Sequence, residues 1–237
     1  MNQRIKKILS IIAVALLLLL TVNAVATIAT EESNGLPEGF VYIDELIPDA
    51  LLEVKYYSDD NFLGTRVDGY LAPKVILSVE AAKALAEVAD EVRGKGLLLK
   101  LFDGYRPQDA VNHFIRWAED VKDEKMKAKY YPEINKKDVF ILGYIAKRSG
   151  HSRGSTIDLT LVDAETGEEL DMGIYFDFFG DISHHDTDLI TEEQASNRNI
   201  LRDVMRKYGF IEYSEEWWHY TLDNEPYPNT YFNFPVQ

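Results

Sequence analysis

Over residues 155–161 apolar and polar side chains alternate: Ile157, Leu159 and Leu161 on one face, Thr156, Asp158 and Thr160 on the other. A period of two predicts a strand with one face against a core. Residues 41–43 and 52–56 have strand composition, and 97–102 reads as a buried strand. Helical spacing governs 79–93, where Ala81, Leu85, Val88 and Val92 form one stripe between a Ser78 cap and a Gly94 stop. Pro107 suits the first position of a helix over 107–121. A further helix is expected over 136–147, followed by a loop over 148–154. Thr191-x-x-Gln194 is a capping box opening a helix that runs to Tyr208 and stops at Gly209. Two short strands, 210–213 and 217–222, flank a tight connection. With no regular βαβ rhythm, the pattern predicts an α+β fold: a mostly antiparallel central sheet with flanking helices, mainly on one side.

The first residues follow another logic. Arg4, Lys6 and Lys7 precede a thirteen-residue apolar run over 8–20, and Ala24-Val25-Ala26 offers a small-x-small cleavage site. Residues 1–26 are therefore expected to be a signal peptide and the chain to be exported. The competing reading is an uncleaved anchor, because no further charge occurs before Glu31. Against it stand Thr21, Asn23 and a run shorter than the ~20 residues of a span. The polar segment 27–38 reads as a linker, leaving 39–237 as the domain.

Composition narrows the chemistry. Hydrophobic residues at 46% and charged residues at 27% are ordinary for a folded domain. The net charge of −15, near −18 without the basic N-terminal segment, repels nucleic acid and leaves a membrane accessible only through an N-terminal anchor. The chain contains no cysteine, which excludes disulfides, thiolate metal sites, a cysteine nucleophile and lipoprotein attachment. Any metal must be held by His, Asp and Glu.

There are five histidines, at 113, 151, 184, 185 and 219. His151 lies in a Ser/Gly-rich loop just before the alternating strand, and Asp158 projects from that strand's polar face. His219 follows Glu215-Glu216-Trp217-Trp218, and alternation sets it with Trp217 rather than Trp218. Two histidines and one carboxylate form a recurrent catalytic zinc set that leaves a position for water. Zinc lowers the pKa of such water to roughly 7. Glu216, at the mouth of the His219 strand, is the candidate base for the water's proton. Each residue also has a plainer reading, as a loop or strand polar group. His184-His185 is a rival pair of which one member at most could join the site.

The stretch Ser149-Gly150-His151-Ser152-Arg153-Gly154-Ser155-Thr156-Ile157-Asp158 resembles the SxHxxGxxxD signature of the zinc D,D-peptidase family. Glu216-Trp217-Trp218-His219 is similar to that family's ExxH element. Asp103-Gly104-Tyr105-Arg106-Pro107, Asp171-Met172-Gly173 with Phe176-Asp177, and Ser183-His184-His185 resemble more narrowly the VanX-type D-alanyl-D-alanine dipeptidases. The resemblance runs from about Phe40 to the C-terminus. It implies a Hedgehog/D,D-peptidase-like fold, one Zn2+ held by His151, Asp158 and His219, Glu216 as base and Arg106 as stabiliser of the oxyanion. It also implies Asp177 as anchor for a substrate amine and Ser149 as hydroxyl donor to a substrate carboxylate. The substrate implied is the dipeptide D-Ala-D-Ala, with a D,D- or L,D-carboxypeptidase acting on peptidoglycan stem peptides as the alternative. Resistance enzymes of this type work in the cytoplasm, whereas this chain is expected outside it, which favours wall turnover or nutrient recovery as its role.

Overall fold

In the computed structural model, which describes residues 35–237, the alternating segment becomes the middle strand of the main sheet. The strands are β1 (Phe40–Tyr42), β2 (Leu51–Leu52), β3 (Ile76–Ser78), β4 (Leu97–Asp103), β5 (Thr156–Asp163), β6 (Phe210–Tyr213) and β7 (Glu216–Leu222). The helices are α1 (Ile43–Leu46), α2 (Val79–Arg93), α3 (Gln108–Glu119), α4 (Lys127–Tyr130) and α5 (Glu192–Lys207). Five strands form the main sheet in the order β2-β4-β5-β7-β6. Only the β2–β4 pairing is parallel, and β1 pairs with β3 in a separate antiparallel ribbon. The fold is thus α+β with a mostly antiparallel sheet. Gly39–Gln237 forms one unit by its contacts. The expected signal segment 1–26, and the linker up to residue 34, lie outside the described residues. No helix among the described residues is long and apolar enough to cross a membrane.

Local chemistry accounts for the long helices. Ser78 Oγ accepts from the Ala81 N–H at the start of α2, whose buried stripe Ala81, Leu85, Val88 and Val92 packs on β3 and β4. At α5 the Thr191 hydroxyl accepts from the Gln194 N–H, while the Gln194 side chain accepts from the Thr191 N–H. Helix α5 lies against β6 and α2, so these two helices share a layer. The cavity is walled by rings instead: Phe114 lies 5.1 Å from Tyr56 and 5.0 Å from Phe62, and Phe62 lies 5.2 Å from Phe179.

Three expected elements differ. The strand 52–56 shrinks to β2 and gives way to a 3-10 turn at Lys55–Tyr57, because Tyr56 turns inward to pack on Phe62, Tyr70, Phe114 and Phe176. Pro107 sits just outside α3 with an extended ψ of 147°, as its cap rather than its first residue. Segment 136–147 is not a helix; only Lys136–Asp138 forms a 3-10 turn. Lys136 is drawn in to donate to the Trp117 and Asp120 carbonyls at the end of α3, and Gly143 adopts a left-handed φ of +84° that no continuing helix accepts.

Candidate active site

A 3-10 turn, Gly150–Arg153, delivers His151 to the start of β5. Its geometry needs glycine at 154. There φ is +86°, the Gly154 N–H donates to the His151 carbonyl, and an added Cβ would lie 2.4 Å from Phe40. Asp158 on β5 stands directly across from His219 on β7 and from Asp103 on β4. Cross-strand partners share a face, so antiparallel register brings two sequence-distant side chains together without any loop rearrangement. Asp158 Oδ2 lies 3.2 Å from His151 Nε2, and Asp158 Oδ1 lies 3.2 Å from His219 Nδ1. The two imidazole nitrogens are 3.4 Å apart. One ligand atom from each of the three residues falls within 4.8 Å of the others.

All seven residues singled out above (Arg106, Ser149, His151, Asp158, Asp177, Glu216 and His219) line one cavity of about 280 Å³. Glu216 Oε2 is 3.2 Å from His219 Nδ1. Arg106 Nε donates to Asp103 Oδ2 at 2.9 Å, and its guanidinium carbon lies 5.0 Å from the Tyr56 ring centre. Ser149 Oγ accepts from the His151 N–H at 3.3 Å, which leaves its own hydroxyl proton to donate elsewhere. Asp177 holds a positive φ of 65°, uncommon outside glycine, and accepts from the Tyr56 hydroxyl at 2.9 Å.

Two expectations change here. The β6–β7 register jumps from Glu212↔Tyr220 to Tyr213↔Glu216, so residues 217–219 break the strand alternation. Trp218 therefore joins Glu216 and His219 in the cavity wall, while Trp217 turns away and packs over the Arg198 guanidinium at 5.8 Å. The His184-His185 pair stays outside the cavity. His185 is buried beside Tyr220 with both ring nitrogens unpaired, and burial pushes its imidazole down to about 4. Tyr56, Tyr144, Phe179 and Tyr213 also line the site. Aromatic abundance was the only sequence signal for them, and it does not say which rings face a cavity.

The family model of the D-Ala-D-Ala dipeptidases, Peptidase_M15, matches residues 37–237. The chain belongs to this family. A D-alanyl-D-alanine dipeptidase of Enterococcus faecalis is 46% identical over 198 residues, covering 84% of this chain and 98% of the relative. That of Streptomyces coelicolor is 45% identical over 197 residues, covering 83% and 98%. Among solved structures, the vancomycin resistance D,D-pentapeptidase VanY with Zn(II) aligns at a TM-score of 0.39 and 16% identity, over 65% of this chain and 77% of that one.

In this member of the dipeptidase family the donor set suits a divalent cation. His151 Nδ1 donates to the Gly104 carbonyl at 2.7 Å, which fixes the tautomer and leaves the Nε2 lone pair facing Asp158. Asp158 Oδ1 is buried and finds no hydrogen bond of proper geometry. Burial alone would raise Asp158, but the electrostatic pull of the two imidazoles 3.2 Å from its oxygens outweighs it and holds the carboxyl well below the usual range. Burial likewise opposes charge on His219, yet Asp158 and Glu216 prevail and push it up to about 9. Asp158, Asp177 and Glu216 line the cavity with a single guanidinium, that of Arg106, and burial followed by the Asp158 charge holds the Asp177 carboxyl well above its ordinary range, crowding that a bound cation would relieve.

Proposed function

We propose that the chain is a zinc-dependent dipeptidase that hydrolyses D-alanyl-D-alanine to D-alanine. The observation that carries this reading is the meeting of His151, Asp158 and His219 in the wall of the cavity that also holds Glu216, Arg106, Ser149 and Asp177. His151 Nε2, an Asp158 carboxylate oxygen and His219 Nδ1 would hold the zinc. When bound, it supplies Lewis acidity and a water acidified to near neutrality.

The chain's own groups supply the rest. Glu216 accepts the proton of the attacking water and passes it to the leaving amine. Arg106 donates to the carbonyl oxygen as it gains charge, a contact strongest in the transition state. Asp177 binds the substrate ammonium. Burial, then the nearby Asp158 charge, raises the Asp177 pKa well above the ordinary value, and an arriving cation would offset both effects. Ser149 donates its hydroxyl to the terminal carboxylate. A volume of about 280 Å³ lies just under the roughly 300–1,000 Å³ of pockets for small ligands, which favours a free dipeptide over a long stem peptide.

The discriminating assay compares zinc-dependent D-alanine release from free D-Ala-D-Ala and from a muramyl pentapeptide, with and without chelator. Rapid, chelator-sensitive release from the dipeptide is expected. A strong preference for the pentapeptide would replace this reading with a carboxypeptidase, and turnover that survives chelation would remove the metal. We also propose export, on the basic and apolar pattern of residues 1–26. Cell fractionation should recover the mature protein outside the cytosol; finding it in the cytosol ends that part of the proposal.

A further inference from the structure

Along β4 the register with β5 slips by one residue, from Leu101↔Leu159 to Asp103↔Asp158. Without that bulge Phe102 would stand opposite Asp158, and Asp103 would point to the other face. The bulge thus sets a second buried carboxylate beside Asp158, which is unfavourable unless a cation joins them. Arg106 is that cation. Its Nε donates to Asp103 Oδ2 at 2.9 Å, and its Nη2 reaches Asp158 Oδ2 at 3.5 Å. The other oxygen of Asp103 accepts from the Tyr70 hydroxyl at 2.6 Å.

Bracing the turn does not account for this arrangement, because the turn's backbone is already held. The Tyr105 N–H donates to the Ile76 carbonyl at 2.7 Å, the Arg106 N–H to the His151 carbonyl at 3.3 Å, and Ser152 Oγ to the Arg106 carbonyl at 2.8 Å. What those bonds leave free is the Arg106 side chain, whose long stem has many rotamers. Asp103 pins its Nε end, and the Tyr56 and Phe114 rings lie 5.0 and 5.1 Å from its guanidinium carbon. So held, Arg106 lines the cavity with its Nη2 on the Asp158 side.

We infer that Asp103 is a positioning residue that acts through Arg106, fixing the guanidinium where the scissile carbonyl oxygen gains negative charge. The inference rests on the dipeptide hydrolysis proposed above. In the zinc-loaded enzyme, Asp103→Asn should lower kcat roughly 10²-fold, the scale of loss from misplacing a reacting group by about 1 Å. KM and zinc content should stay near those of the parent. In an Arg106→Ala background the same substitution should change kcat no further, because the residue it positions is gone. Losses that multiply in the double variant would overturn the inference, as would an unchanged kcat in Asp103→Asn. Loss of zinc from Asp103→Asn would also overturn it, since Asp103, whose Oδ2 lies 3.6 Å from His151 Nδ1, would then act through that proposed ligand. Should that variant fail to fold, Tyr70→Phe carries the same cycle, with a smaller loss alone and none added to Arg106→Ala. A parent enzyme inactive on D-Ala-D-Ala would sink the functional reading with it, whereas an active parent with multiplicative variants sinks only this inference.

Discussion

Glu216→Gln is expected to keep its zinc while hydrolysing D-Ala-D-Ala about 10³- to 10⁴-fold more slowly, the upper part of the range for losing a general base. The exchange preserves shape and volume while removing the negative charge and the capacity to take up a proton. Glu216 opens β7, and the break in alternation over residues 217–219 lets it share the cavity with His219. Its oxygen lies 3.2 Å from His219 Nδ1, close enough to receive a proton from a water in the same space. Because the proposed ligands are three other residues, metal analysis should still find about one zinc per chain, as for an open catalytic site. KM should move little, since an amide can still accept a hydrogen bond. Steady-state D-alanine release alongside zinc analysis decides the matter. An unchanged rate would remove Glu216 from the mechanism, and a zinc-free variant would make it part of the metal-holding set.

Much of the site was legible because antiparallel register obeys a period of two. Alternation over 155–161 put Asp158 on the polar face of its strand, and the structure sets that face across from His219. His151 was legible as a loop residue just upstream, and the Gly154 beside it proves to be required by its left-handed backbone. Regular periods cannot reveal where register slips. The bulge in β4 that turns Asp103 inward and the jump in β7 that swaps Trp218 for Trp217 each change the face of a side chain without marking the local sequence. Segment 136–147 failed for a different reason. Burial of Lys136 against the end of α3 and the turn at Gly143 are tertiary effects that outweigh local helical preference. Tyr56 was hidden in the same way, as its strand-like neighbourhood gives way to a turn once the ring finds its aromatic partners.

Asp158→Asn should abolish zinc retention and, with it, activity. Asp158 is the sole anion of the three proposed ligands, buried between two imidazoles and held ionised by them. An amide in its place leaves two neutral rings beside the Arg106 guanidinium, whose Nη2 lies 3.5 Å from the Asp158 carboxylate. A cation entering that space would meet repulsion with no opposing charge at the ligand position. Losing an outer partner of a ligand weakens metal binding about 10- to 100-fold, so losing the charged ligand itself should exceed that range. Dialysis against a weak chelator followed by metal analysis reads the effect directly, and zinc near one equivalent in the variant would refute the three-residue site. The parent gives an independent check through pH. His219, held up to about 9 without metal, must shed its proton before it can ligate. Acidification restores that proton, so zinc affinity should fall steadily as pH drops below about 9 and rise as it returns. A flat dependence in chelator competition would mean that His219 does not hold the ion, even if zinc were present.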